Sequence, residues 1–263
     1  MMLLSAGMSP VHAALVGGSI AAAATAVGTL PALFTRAIGR RTQDALVGFG
    51  AGVMLAASAF SLVLPGLEAA RQQGTGPWGA GLTVGIALLL GAMMVKALDL
   101  AIPHEHFIKG PEGRSSHRLK RTWLFVFAIC LHNLPEGLAI GVGFATNHAQ
   151  GVALATGIAI QDLPEGFVVA VALIVAGYSR PRAMLVGIGS GLIEPLGAVF
   201  GASMVVAMPL LLPTGLGFAA GAMLFVVSHE IIPESHRQGH ENFATGGLMI
   251  GFVLMMLLDT ALS

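Results

Sequence analysis

Residues 122–145 read TWLFVFAICLHNLPEGLAIGVGFA, and residues 151–176 read GVALATGIAIQDLPEGFVVAVALIVA. As an α-helix rising 1.5 Å per residue, each stretch is long enough to cross the ~30 Å hydrocarbon layer of a membrane. Each also carries a polar hexapeptide near its middle, HNLPEG at 132–137 and QDLPEG at 161–166. The apolar runs predict the fold, and the polar interruptions indicate where the chemistry lies.

Similar apolar runs fill most of the chain. Of its 263 residues, 55% are hydrophobic and only 10% are charged, whereas a soluble domain carries about 25% charged residues. We therefore predict an all-α integral membrane protein. It forms a single transmembrane domain over 1–263, with a polar loop at about 103–121. The eight predicted transmembrane helices cover 11–34, 45–67, 78–102, 122–145, 151–176, 183–208, 214–233 and 244–262.

The basic residues orient this bundle. Lys and Arg concentrate in the links after spans one, three, five and seven, whereas the opposite side offers only Arg71. Because cytoplasmic links carry the excess of positive charge, both termini are predicted outside and the 103–121 loop inside. The protein is expected to be a multi-pass protein of a cell membrane, specifically the bacterial inner membrane. Its partner there is the lipid bilayer. The zero net charge argues against nucleic-acid binding.

The two hexapeptides have the spacing of a ligand cluster. The spans that carry them run antiparallel in this topology, and inverted repeats often build transporter sites near the membrane midplane. Residues three and four apart share a helix face, so Glu136 lies beside His132 and Asn133. Glu165 lies in the same way beside Gln161 and Asp162. Each glutamate can thus belong to two clusters, as a carboxylate that bridges two metal ions must.

The membrane carboxylates lack basic partners on their own spans. No Lys or Arg occurs at 122–179 or at 183–236, which contain Glu136, Asp162, Glu165 and Glu194. A charged carboxylate at the bilayer centre costs at least ~2.5 kcal/mol. These groups are therefore either protonated or balanced by a cation. Nearby imidazole and thioether groups favour a borderline-soft metal over Na⁺ or Ca²⁺. They come from His132, His229 and Met54.

Other interpretations remain open. Polar side chains can simply join membrane helices by hydrogen bonds, and the pair His229–Glu230 could serve in this way. Met54 taken alone is more typical of packing than of metal ligation. Within transport, the rival is a carrier coupled to protons or sodium. An enzyme such as a membrane protease or di-iron oxidase is disfavoured because the chain has neither a His-Glu-x-x-His motif nor a Glu-x-x-His pair.

Together, HNLPEG in span four, the Pro-centred polar motif in span five, eight spans and outward termini resemble the ZIP family of metal transporters. The resemblance covers nearly the whole chain. The second motif differs from the eukaryotic pattern His-Glu-x-Pro-His-Glu, since Gln161, Asp162, Glu165 and Gly166 occupy its non-proline positions. This form is similar to the prokaryotic GufA-like branch.

The resemblance implies the ligands, the cargo and the motion. One metal would bind Met54, His132, Glu136, Gln161, Glu165 and Glu194, and a second would bind Asn133, Glu136, Asp162, Glu165 and Glu194. His229 and Glu230 would lie near the inner exit, with Ser61 and Asp259 near the outer entrance. The cargo would be Zn²⁺, with Cd²⁺, Fe²⁺ or Mn²⁺ as alternatives. Spans one, four, five and six would move as an elevator against the rest, often within a homodimer.

Overall fold

The computed structural model describes residues 7–34, 39–101, 104–106, 110–112, 121–175, 178–236 and 239–262, and within 104–132 it describes the backbone alone. Over these residues the chain is almost entirely helical. The helices are α1 (Pro10–Thr29), α2 (Arg40–Gln72), α3 (Pro77–Ala101), α4 (Arg121–Thr146), α5 (His148–Val175), α6 (Arg180–Ala207), α7 (Pro209–Ile231) and α8 (Glu241–Leu262).

The helices confirm an all-α protein that crosses a membrane several times. Among the described residues, seven helices of 22 to 33 residues are long and apolar enough to span a bilayer. Helix α4 is not among those seven, but its 26 residues give a length of about 39 Å. The count of eight spans therefore stays a prediction that depends on α4. Several helices extend beyond the predicted apolar runs, because backbone hydrogen bonding continues through flanking polar residues.

The predicted polar loop at 103–121 contains short strands. Strand β1 (His104–His106) pairs with β2 (Gly110–Glu112) in antiparallel register, so that His104 is opposite Glu112. Sequence reasoning treated this segment as a loop because it has no alternating apolar pattern. The side chains of His104 and His106 lie outside the described part of the chain.

The helices pack as two groups. In the first, which we call the motif group, α1 packs mainly against α5 and α6, and α4 packs against α6. In the second, the flanking group, α2 packs against α8, and α3 against α7. The motif group contains both hexapeptides. Contacts between the groups are fewer and come chiefly from α7 against α4 and from α5 against α2 and α8.

Two helices of the flanking group contain wide π-helical turns, each just before a proline. One covers Ala57–Val63 in α2 and the other Val227–Ile231 in α7. Proline has no N–H and its ring displaces the carbonyl four residues earlier, so a wider turn relieves the clash. In α2 the proline is Pro65, and the freed carbonyl of Ser61 accepts a hydrogen bond from Gln150 Nε2 of α5. The freed group thus gains a partner from the motif group.

Candidate metal centre

The two hexapeptides meet through their side chains. Glu136 on α4 and Gln161 on α5 are both buried, and Gln161 Nε2 donates a hydrogen bond to Glu136 Oε1. Both helices continue through their internal prolines, Pro135 and Pro164. The inverted motifs are therefore in contact with each other between α4 and α5.

Three carboxylates form the compact centre of this site. One oxygen from each of Glu136, Asp162 and Glu165 lies within 4.8 Å of the other two. Glu136 and Asp162 are at most 1% exposed. Glu165 is half-buried, so the cluster has a more open side at this residue. Ionised carboxylates this close together repel one another, and a divalent cation bound between them would offset that repulsion.

A fourth carboxylate comes from α6. Glu194 is fully buried directly after the break in that helix at Leu192, and it interacts electrostatically with Glu136, Asp162 and Glu165. Its Oε1 accepts a hydrogen bond from Thr25 Oγ1 of α1, at 3.3 Å. Each of the four helices in the motif group therefore contributes to the site.

Asn133 is also held toward this site. Its Nδ2 donates a 3.0 Å hydrogen bond to the carbonyl of Ser190 on α6. This bond turns the amide nitrogen toward α6 and leaves the amide oxygen, the atom that could bind a cation, on the other side of the planar group.

Several oxygens of the site have no hydrogen-bond partner. They are Glu136 Oε2, Gln161 Oε1, Asp162 Oδ2 and Glu194 Oε2, all of them buried. A buried polar atom without a partner costs about 1–3 kcal/mol. Four such oxygens from four residues of one cluster indicate that a ligand completes their bonding. A cation fits this position, because each of these oxygens is an acceptor when its group is deprotonated.

Two basic side chains of the neighbouring helices are engaged with other carboxylates. Lys96 on α3 pairs with Asp99 at 3.0 Å, and Arg71 lies 4.0 Å from Glu68 near the end of α2. Both cations are therefore engaged away from the cluster, and a metal ion remains the best counter-charge for it.

Two glycines of the hexapeptides let the helices approach. A Cβ atom on Gly137 would lie 2.4 Å from the carbonyl oxygen of Glu194, and one on Gly166 would lie 2.2 Å from that of Thr25. Only glycine fits such contacts, which bring α4 against α6 and α5 against α1. The motif thus supplies the ligands and also sets the helix packing that positions them.

Comparison with known proteins decides the family. A profile described as ZIP Zinc transporter matches residues 109–259. The chain is 55% identical over 260 residues to "Zinc transporter ZIPB" of Bordetella bronchiseptica, covering 97% of this chain and 84% of that protein. This chain is a member of the ZIP family. It is also 45% identical to "Zinc transporter GufA" of Myxococcus xanthus, covering 95% of this chain and 99% of the relative. The chain is 33% identical over 263 residues to "Zinc transporter ZupT" of Chlorobium luteolum, covering 95% of this chain and 98% of that protein.

Membership of the ZIP family confirms the resemblance seen in the two motifs, including the GufA-like branch. The family consists of transporters, so the expectation that this chain is not an enzyme is also confirmed.

Met54 lies on a helix face that is turned toward the site. It is fully buried in α2, one turn after Gly50. A Cβ on Gly50 would lie 3.5 Å from Cγ of Gln161, so this face of α2 contacts the second hexapeptide. Residues four apart share a face, which aims Met54 at the same region. The resemblance to ZIP proteins, rather than sequence spacing, was what suggested Met54.

The remaining sequence-predicted residues divide into two cases. The side chain of His132 lies outside the described part of the chain, although its backbone belongs to α4. His229 and Glu230 lie in the π-helical turn of α7, where the His229 ring stacks on Phe225 at 4.9 Å and Glu230 is buried. The structure places them in the flanking group and outside the compact carboxylate cluster.

Sequence reasoning missed Thr25 as a contributor to the site. It is buried in an otherwise apolar part of α1, where its hydroxyl also donates to the carbonyl of Ala21. A buried hydroxyl is a weak signal, because threonine in a membrane helix commonly bonds to its own backbone. Only the crossing of α1 over α6 shows that Thr25 contacts Glu194.

Proposed function

We propose that the chain imports Zn²⁺ through a bacterial inner membrane toward the cytoplasm. The close approach of three carboxylates, from Glu136, Asp162 and Glu165, is the observation that carries this proposal. The named relatives, all zinc transporters, support the identity of the cargo. Cd²⁺, Fe²⁺ and Mn²⁺ are the competing cargoes because the same oxygen and nitrogen ligands accept them.

Radiozinc uptake into proteoliposomes tests this function. Glu136→Gln and Glu165→Gln retain side-chain size but remove the charge, so each is expected to abolish most of the uptake. Glu68→Gln is the matched control, because Glu68 lies on the exposed end of α2, away from the cluster. Wild-type uptake in either cluster variant, at equal reconstitution, would contradict the assignment. Uptake of Na⁺ with no Zn²⁺ uptake would favour the sodium-coupled rival.

Two cations, rather than one, are proposed to share the site. The support is the helical spacing of the motifs, which sets Glu136 beside both His132 and Asn133 and sets Glu165 beside both Gln161 and Asp162. Glu136 and Glu165 would bridge. Calorimetry is expected to find two Zn²⁺ per wild-type chain and one in Asp162→Asn. That variant should still transport Zn²⁺, whereas His132→Ala should transport much less. Equal losses of transport in Asp162→Asn and His132→Ala would mean that the ligands are wrongly assigned to the two metal positions.

The motif group is proposed to move as a body against the flanking group. Its support is the packing, which is denser within each group than between them. Cysteines at Val142 and Gly215 would join α4 to α7, since a Cβ on Gly215 would lie 3.6 Å from Cγ1 of Val142. In a Cys130→Ser background this cross-link should stop uptake until it is reduced. Cysteines at Gly66 and Val84, which join α2 to α3 within the flanking group, provide the control. Uptake by the cross-linked Val142–Gly215 pair would favour a channel.

Both termini are proposed to lie outside, with α4 as the eighth span and 103–121 in the cytoplasm. Cysteine labelling tests this at two exposed described positions, Gln72 at the end of α2 and Asn242 at the start of α8. In a Cys130→Ser background, an impermeant thiol reagent should label Gln72→Cys in intact cells. Asn242→Cys should react only after lysis. The reverse pattern would invert the topology.

A further inference from the structure

A cleft of about 690 Å³ opens between the motif group and the flanking group. Helices α4 and α6 form one wall, and α3 and α7 form the other. Its lining is apolar apart from two threonines, and one of these, Thr214, already donates its hydroxyl to the carbonyl of Leu211. Representative lining residues are Thr83, Met94, Leu134, Phe200, Met204 and Phe218.

The cleft has the depth of one membrane leaflet. Along α3 it extends from Thr83 to Met94, eleven residues or about 16 Å, close to half of a ~30 Å hydrocarbon layer. Trp78 lies just beyond the Thr83 end and is 88% exposed, as is typical of an aromatic residue at the membrane interface. The cleft therefore begins just below one interface and ends near the midplane.

The cleft also faces lipid. Ile86 on α3 is 55% exposed and Phe200 on α6 is 59% exposed, so both walls continue into the outer surface of the bundle. Helix α6 makes few contacts with α7, which is why the walls do not close on each other. An empty gap loses the dispersion contacts of its lining, and water has almost no polar partner here. Hydrocarbon is the medium that matches this depth and this lining.

We propose that one acyl chain of a bilayer phospholipid occupies this cleft as a bound ligand. The polar headgroup would stay at the Trp78 level, because the lining offers it no charge, and the chain end would reach Leu134. Leu134 belongs to the first hexapeptide, between Asn133 and Pro135. The bound chain thus contacts a helix that carries the metal ligands and also the helices of the flanking group. If the two helix groups move as proposed above, the bound acyl chain is a deformable contact between them.

Native mass spectrometry of the full-length protein extracted from phosphatidylcholine liposomes tests the proposal without any measurement of transport. Wild-type protein should retain one phospholipid per chain. Met204→Trp places a ring in the cleft and should lower retention about tenfold, the equivalent of losing about two buried methylene groups. Leu196→Trp is the matched control, because Leu196 is 67% exposed on the same helix and does not line the cleft. It should retain lipid as the wild type does.

A second pair of variants guards against misfolding of the first. Ile86 lines the cleft from α3, so Ile86→Trp is the second test variant. Leu89 lies on the same helix but does not line the cleft, so Leu89→Trp is its control. Both pairs should show the same contrast. Equal retention in cleft and control variants would overturn the proposal. Loss of a dimer instead of a lipid would identify a second copy as the occupant, and retention of detergent alone would also overturn it. Because lipid retention does not depend on Zn²⁺, this result and the uptake result can fail separately.

Discussion

Adding one methyl group at Gly166 should separate two helices and disrupt the metal site. A Cβ there would lie 2.2 Å from the carbonyl oxygen of Thr25, whereas an ordinary carbon–oxygen contact measures about 3.3–3.6 Å. In Gly166→Ala, α5 must therefore move about 1 Å away from α1. Glu165 is the residue just before Gly166 on α5, and Thr25 holds Glu194, so both carboxylates would be displaced.

The size of this displacement sets the expected effect. Metal sites tolerate errors of about 0.2 Å in ligand distance, and a shift of about 1 Å is several times larger. Perturbing the groups that orient metal ligands typically costs 10–100-fold in affinity, and we expect a Zn²⁺ affinity loss in this range. The overpacking should also lower the free energy of unfolding by about 1–3 kcal/mol.

Calorimetric Zn²⁺ titration of purified protein, with uptake in proteoliposomes, measures this loss. Gly189→Ala is the control, because a Cβ on Gly189 meets no atom within 4 Å, although the residue lies on α6 one position from Ser190. Wild-type affinity in Gly166→Ala, at equal folded yield, would show that helix separation does not set the ligand geometry.

Three further predictions follow from the same contacts. Thr25→Val should weaken Zn²⁺ binding by about tenfold, because a hydrogen bond to a charged group contributes about 1.5–3 kcal/mol, and Thr25→Ser should restore it. Asn133→Asp should reduce uptake more than Asn133→Ala, because the aspartate sets a carboxylate oxygen against the carbonyl of Ser190; equal uptake by the two variants would contradict this. Zn²⁺ affinity should fall as pH drops from about 7 to 5, because carboxylate and imidazole ligands bind metal only when deprotonated. Calorimetry in two buffers of different ionisation enthalpy should therefore detect proton release on binding, and its absence would mean that the ligands are already ionised without metal.

Sequence alone could predict the parts of the site that depend on one helix. The face shared by Asn133 and Glu136, or by Gln161 and Glu165, follows from helical periodicity, which needs no knowledge of the fold. The pairing of Lys96 with Asp99 follows in the same way. The membrane class follows from composition, because a chain with so few charges cannot form a soluble surface.

Contacts between helices could not be predicted in this way. The bonds from Thr25 to Glu194 and from Asn133 to Ser190 depend on where helices cross, and a single sequence does not specify the crossing points. The π-helical turn before Pro65 left a partial signal, because a proline always disturbs the carbonyl four residues earlier. That signal does not identify Gln150 as the partner of Ser61.

The division of the proposed ligands between the two helix groups has a consequence for release. Glu136, Asp162, Glu165 and Glu194 all belong to the motif group, and backbone contacts at Gly137 and Gly166 hold their helices together. Met54, by contrast, belongs to α2 of the flanking group. If the motif group carries the cation as proposed, the carboxylates travel with it while a Met54 thioether would stay behind. The soft ligand is then available in one position only, so the same movement that exposes the cation to the far side also weakens its binding.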